Sequence, residues 1–215
     1  MLLDELGDRL IPDTHGRSTI MSLYLDTPDF LLIRNSIAAR TYKEKLRIRS
    51  YGTPKDESLV FLEIKKKYKG VVYKRRIKLS LAQAKRYISD GTRPEDSQIM
   101  DEIDYAMRFY RSPSPKMLIS YERDAFFVKD MPNLRLTFDS SIRYRTGDLF
   151  LENGSEGERI IGDKEYILEI KTDGAMPIWL ARALSRLSIL PSSFSKYGTA
   201  YQNNIPKGIK EYEFV

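Results

Sequence analysis

Three successive segments alternate between charged and apolar residues, and this pattern constrains the fold more than any other feature of the chain. In 41–51, "TYKEKLRIRSY", Lys43, Lys45, Arg47 and Arg49 fall on one face, with Tyr42, Leu46 and Ile48 on the other. In 59–67, Glu63, Lys65 and Lys67 oppose Val60, Leu62 and Ile64. In 71–79, Lys74, Arg76 and Lys78 oppose Val71, Tyr73, Ile77 and Leu79. A period of two marks half-buried strands, and "KYKG" between the last two reads as a hairpin turn.

The cations on these faces are nearly unmixed. Solvent faces of antiparallel sheets usually interleave the two signs, because like charges directly opposite each other repel. Between Lys43 and Lys78 there are 13 Lys or Arg against 4 Asp or Glu, a local net charge of +9 in a chain of +6. Such a concentrated field points to a polyanionic partner. The apolar faces of the same strands need cover, and amphipathic helices can supply it. "SLAQAKRYISDG" predicts a helix capped by Ser80 and stopped at Gly91; a second is expected from about Glu95 to Tyr110, a third from Pro177 to about Leu190. Strands are expected at 117–128 and 134–139, continuing into "SIRYR".

The tetrapeptide LEIK occurs twice, in "VFLEIKKK" and "YILEIKTD", each time after an Arg-bearing strand. This weak internal symmetry suggests a duplicated unit closing on itself. The expected fold is α+β: a mostly antiparallel barrel with cations inside and helices outside, which also removes exposed sheet edges. No Pro- or Gly-rich linker divides residues 1–215, so one domain is expected.

Glu63 and Glu169 sit at matching points of the two LEIK segments, beside Lys65 and Lys171, and Asp139 shares a face with Arg135. Carboxylates among phosphate-binding cations suit Mg²⁺ or Mn²⁺, hard ions that take oxygen ligands. The alternative is a plain ion pair with a neighbouring cation. The chain has no Cys, which excludes disulfides and thiolate metal sites, and His15 is its only His. Nothing suggests nucleophilic triads, and there is no P-loop sequence. No run of about 18 apolar residues predicts a transmembrane helix, and the acidic start lacks a signal-peptide pattern. A cytoplasmic location is expected.

The blocks "SLYLDTPD", "KLRIRSYG", "VFLEIKKK", "VYKRRIKL", "SYERDAF", "LRLTFD", "ILEIKTDG" and "SFSKYG", in this order from about Thr19 to Gln202, resemble the VTC (vacuolar transporter chaperone) domain. That family includes polyphosphate polymerases and belongs to the triphosphate tunnel metalloenzymes, alongside CYTH-type phosphatases and cyclases. The resemblance implies a cation-lined tunnel binding ATP or another nucleoside triphosphate, with polyphosphate or pyrophosphate. It implies phosphate ligands at Lys45, Arg47, Arg49, Lys65, Lys74, Arg76, Arg123, Arg135 and Lys171. It gives catalytic roles to Lys196 and Glu169, with Glu169 as metal ligand and Glu63 and Asp139 as further metal candidates. Family members begin with a further basic strand, so the N-terminal strand is expected to be missing here; Ser192 and Ser193 stand where some members carry a second cation. The implied activity is metal-dependent synthesis of polyphosphate from ATP. The alternatives are a triphosphatase or polyphosphatase with water as acceptor, and a non-catalytic polyphosphate- or nucleotide-binding module. Nucleic acid is not expected: the basic faces carry few aromatics for base stacking, Tyr51 on the first and none on the next two.

Overall fold

The computed structural model describes residues 2–14, 16–39 and 41–204, so His15 lies outside the described residues. The strands are β1 (Leu10–Pro12), β2 (Ser18–Asp26), β3 (Tyr42–Tyr51), β4 (Leu59–Tyr68), β5 (Val71–Ser80), β6 (Ser114–Val128), β7 (Met131–Arg145), β8 (Glu158–Arg159) and β9 (Ile167–Lys171). They form one sheet in the order β5-β4-β3-β2-β6-β7-β8, with β1 on β6 and β9 on β7. Every pairing is antiparallel. The β4–β5 turn is Lys69-Gly70, with φ of 46° and 89°. Positive φ at both central residues is what a two-residue hairpin turn requires, because it matches the right-handed strand twist.

The sheet curls. Four strands separate β4 from β9, so in a flat sheet they would lie roughly 24 Å apart. Yet the Lys65 ammonium on β4 feels the charges of Glu169 and Lys171 on β9. Arg49 Nη2 on β3 similarly reaches the Tyr121 hydroxyl on β6 at 3.4 Å. The register shift between Ser120 and Glu122, opposite Ser141 with φ of 49°, adds local twist. Among the described residues no ladder joins β5 to β8 or β9, so the barrel-like sheet is open along one side.

The convex face is covered as the apolar alternation requires. Leu46, Leu62, Ile64, Ile77 and Leu79 pack with Ala84 and Tyr87 of α3 (Leu81–Asp90) and Met100, Ile103 and Ala106 of α4 (Gln98–Phe109). Helix α3 has the expected ends: Ser80 and Gln83 form a reciprocal capping box, and Gly91 closes it with φ of 80°. Helix α4 starts later than expected, at the Ser97 cap, whose hydroxyl accepts the Met100 amide. Leu134, Leu136 and Phe138 of β7 are covered by α1 (Leu2–Leu6) and α5 (Ile178–Arg186). Helix α5 stops short of Leu190, as Ser188 turns the chain at φ of 54°. No helix is long and apolar enough to cross a membrane among the described residues.

Besides the short α1, two helices were not legible in the sequence. Helix α2 (Leu31–Ala38) follows β2, and the segment "PSSFSKYGTAY" carries α6 (Lys196–Asn204). Unlike the covering helices, α6 packs on the concave face, where Tyr197 stacks on Tyr24 at 4.3 Å between ring centroids. The Tyr197 hydroxyl donates to Asp26 Oδ2 at 2.8 Å, and Asp26 also accepts the amides of Thr27, Leu32 and Ile33. One buried carboxylate thus ties β2, α2 and α6 together, with its pKa raised by that burial.

Candidate triphosphate-binding site

Alternation sends one set of side chains from each strand to the concave face. From β3 come Lys45, Arg47 and Arg49; from β4, Phe61, Glu63 and Lys65; from β5, Lys74, Arg76 and Lys78. β2 adds Ser22 and Tyr24, opposite Arg49 and Arg47. β6 and β7 add Tyr121, Arg123, Arg135, Thr137 and Asp139, and β9 adds Glu169 and Lys171. Helix α6 brings Lys196. All of the residues singled out in the sequence therefore meet on one face. Phe61 is the exception to the expectation that the second and third basic faces lack aromatics: it lies directly opposite Arg49.

The three carboxylates differ in how fully they are neutralised. Glu63, 1% exposed, accepts Arg47 Nε at 2.7 Å, with Arg47 Nη2 at 2.6 Å and Lys74 Nζ at 2.8 Å. Burial works against its charge, but Arg47, Arg49 and Lys74 outweigh it and hold the carboxyl below its ordinary range. Asp139 is fully buried and is gripped by Arg123 through both oxygens, at 2.6 and 2.7 Å, with Lys196 Nζ at 2.6 Å from Oδ2. Its pKa too is lowered against the effect of burial, by Arg123 and Lys196. Glu169 is different. Its side chain is 44% exposed, and its neighbours Arg123 and Lys171 stand off at 3.5 and 3.4 Å. Its register partner, Thr137, holds a buried hydroxyl with no hydrogen-bond partner.

The two LEIK strands are therefore not equivalent. Glu63 pairs across the ladder with Arg47, whereas Glu169 pairs with Thr137. A cation opposite closes the first carboxylate into a tight ion pair, and a hydroxyl opposite leaves the second with only the two longer contacts to Arg123 and Lys171.

The cations divide in the same way. Arg47, Lys74, Arg123, Arg135, Lys171 and Lys196 each have a carboxylate within 4.0 Å, Asp13 being the partner of Arg135. Lys45, Arg49, Lys65 and Arg76 have none among the described residues. Lys45 instead donates to Ser195 Oγ at 2.9 Å, just before α6, and Arg49 rests on the hydroxyls of Ser22 and Tyr121. Burial, then cationic neighbours, push the Lys45 and Lys65 pKa values down. The cations also act on Tyr24, whose hydroxyl accepts Arg47 Nη1 at 3.2 Å. Burial would raise its pKa, but Arg47, Lys45 and Arg49 bring it to about 8.

A concave face with excess positive charge is arranged for a multivalent anion. The donor set also fits a divalent ion in one specific way. Among the described residues no three acidic or His side chains converge as a ready-made cage. Mg²⁺-type sites, however, commonly use one or two carboxylates plus substrate phosphates and water, and Glu169, beside the unsatisfied Thr137 hydroxyl, offers that. A hollow of about 460 Å³ lined by Arg9, Lys129 and Trp179, among others, lies apart from these residues. Ser195 and Thr137 are members of the site that sequence reasoning did not assign; both fall inside or beside its motifs, and only the partner across the fold reveals their roles.

Solved structures share this architecture. A candidate adenylate cyclase from Bacillus halodurans superposes with a TM-score of 0.54 at 16% identity, covering 90% of this chain and 85% of that one. A candidate adenylyl cyclase from Hippeastrum, described as having a dominant triphosphatase activity, gives 0.55 at 15% identity, covering 96% and 90%. No curated protein matches the chain. The family model of the VTC domain spans residues 2–204, so nearly all of the sequence that builds this cationic face also places the chain in the VTC-domain family.

Proposed function

We propose that the concave face binds a nucleoside triphosphate and a polyphosphate chain and transfers the terminal phosphoryl group of ATP to the chain. The observation that carries this reading is the separation of charges on the face. Among the described residues Lys45, Arg49, Lys65 and Arg76 lack carboxylate partners, while Glu169, its side chain 44% exposed, is the most loosely held of the three central carboxylates. Phosphoryl transfer asks little covalent chemistry of a protein; it needs positioning and electrostatic stabilisation. The arginines of β3 and the lysines of β3 and β4 would hold the phosphates in line, replacing water as the neutralising environment. Glu169 would hold Mn²⁺ or Mg²⁺, which would supply positive charge against the negative charge that develops on the phosphates. Lys196, already oriented by Asp139, would direct its ammonium at the reacting phosphates, and Glu63 would keep Arg47 and Lys74 extended toward them.

A hydrolytic reading is favoured by one feature: the sheet is open along the β5 side, which gives water a route to the phosphates. It agrees with the triphosphatase activity described for the Hippeastrum protein. Incubation with ATP and Mn²⁺, followed by separation of long polyphosphate from orthophosphate, decides between the two. Long chains support the transferase, orthophosphate alone supports the hydrolase, and no turnover with retained ATP binding contradicts both.

A further inference from the structure

The rows of cations end in aromatics at the same place on adjacent strands. On β3 the inward positions run Lys43, Lys45, Arg47, Arg49 and then Tyr51; on β4 they run Lys67, Lys65, Glu63 and then Phe61. Tyr51 and Phe61 meet edge to face, with centroids 5.7 Å apart. Tyr51 remains 54% exposed, at the end of a strand whose other inward positions are all cationic. The Arg76 guanidinium lies 4.8 Å over the Phe61 ring, and Lys78 is the β5 partner of Phe61. An exposed aromatic step is thus flanked by Arg49, Arg76 and Lys78.

A bare polyphosphate has no use for this step. A ligand that joins a planar ring to a polyanion uses both halves of it. We infer that Tyr51, supported edge-on by Phe61, is the stacking platform for the base of the nucleoside triphosphate, whose phosphates then run along β3 past Arg49 toward Arg47 and Lys65. This rests on the phosphate-binding reading of the face given above. The spacing agrees: four residues of extended strand from Tyr51 to Arg47 span about 13 Å, enough for a nucleoside with its triphosphate. The far end of the tail then lies toward Lys65, whose ammonium feels the Glu169 charge. Stacking on an aromatic face tolerates any base, because every base has a π-face. The platform therefore distinguishes nucleotides from inorganic chains rather than one base from another.

The test is calorimetric titration of wild type, Tyr51→Ala and Tyr51→Phe with ATP, GTP and inorganic tripolyphosphate. Loss of one base–aromatic stack weakens binding by about tenfold or more. Tyr51→Ala is expected to lose that factor for ATP and GTP alike while keeping wild-type tripolyphosphate affinity, which also shows that the variant is folded; Tyr51→Phe keeps all three. Equal weakening of nucleotide and tripolyphosphate, or no change in either, overturns the platform while leaving the phosphate site intact. Failure of wild type to bind any of the three ligands overturns the phosphate-binding reading and the platform with it.

Discussion

Lys196 Nζ lies 2.6 Å from Asp139 Oδ2, so the lysine of the "FSKYG" motif enters the site already paired with a fully buried acid on β7. The same carboxylate holds Arg123 through both oxygens. Asp139 is therefore the joint between α6 and the sheet, and it positions two cations at once.

Asp139→Asn removes a buried charge from between two cations. Breaking a buried ion pair by neutralising one partner costs about 3–5 kcal/mol, so a large drop in the denaturant midpoint is expected. An unchanged midpoint would show that Arg123 and Lys196 are held by other means.

Acid should act through the same group and through Glu63. Both carboxyls have folded-state pKa values below their ordinary 3.8 and 4.5. The stability they contribute is complete above those ordinary values and is lost as pH falls through the lower, folded ones. Melting followed from pH 6 downward should show a loss that Asp139→Asn flattens.

Much of this was legible in the sequence, and the gaps have physical causes. β3, β4 and β5 were legible because a period of two has one reading when one face must be buried, and α3 because Ser80 and Gly91 mark both its ends. α6 was not, since the residues it buries in the concave-side core, Tyr197, Gly198 and Ala200, are a tyrosine and two small residues rather than a stripe of large aliphatic ones. The contrast between Glu63 and Glu169 was also invisible. Both stand in LEIK, and what separates them is the residue across the ladder, Arg47 or Thr137. The membership of Arg47 in an ion pair also alters what its removal should do.

Arg47→Ala should destabilise the unliganded protein, because it leaves Glu63, 1% exposed, with Lys74 as its direct partner. Lys65→Ala should not, since Lys65 has no carboxylate within 4.0 Å among the described residues and its ammonium is disfavoured by desolvation and by Arg47 in the unliganded protein. Its loss should instead weaken tripolyphosphate binding by about 1.5–3 kcal/mol, the contribution of one charge-assisted contact. Parallel melting and titration of the two variants checks this; a loss of melting temperature for Lys65→Ala with unaltered binding would reverse the roles.

Anion affinity should fall as pH rises through about 8, the value to which Arg47, Lys45 and Arg49 bring Tyr24 against its burial. Above it the phenol ionises and places a negative charge among the cations that the anion needs; Lys45, lowered by burial, loses its proton in the same direction. Titrations with tripolyphosphate at pH 7 and pH 9 should show a decline that is shallower in Tyr24→Phe. An identical decline in both proteins would remove Tyr24 from the linkage.

Glu169, and not its counterpart Glu63, is proposed to serve the divalent ion while the cations serve the phosphates. Mn²⁺ titration of ATP turnover by wild type and Glu169→Gln, with metal-free tripolyphosphate binding measured alongside, tests it most directly. Glutamine keeps the size of the side chain but removes the charge that a hard ion prefers. Glu169→Gln is expected to abolish metal-dependent turnover while metal-free binding is kept or tightened, because one repelling carboxylate is gone. Wild-type turnover with an unchanged Mn²⁺ requirement would contradict it.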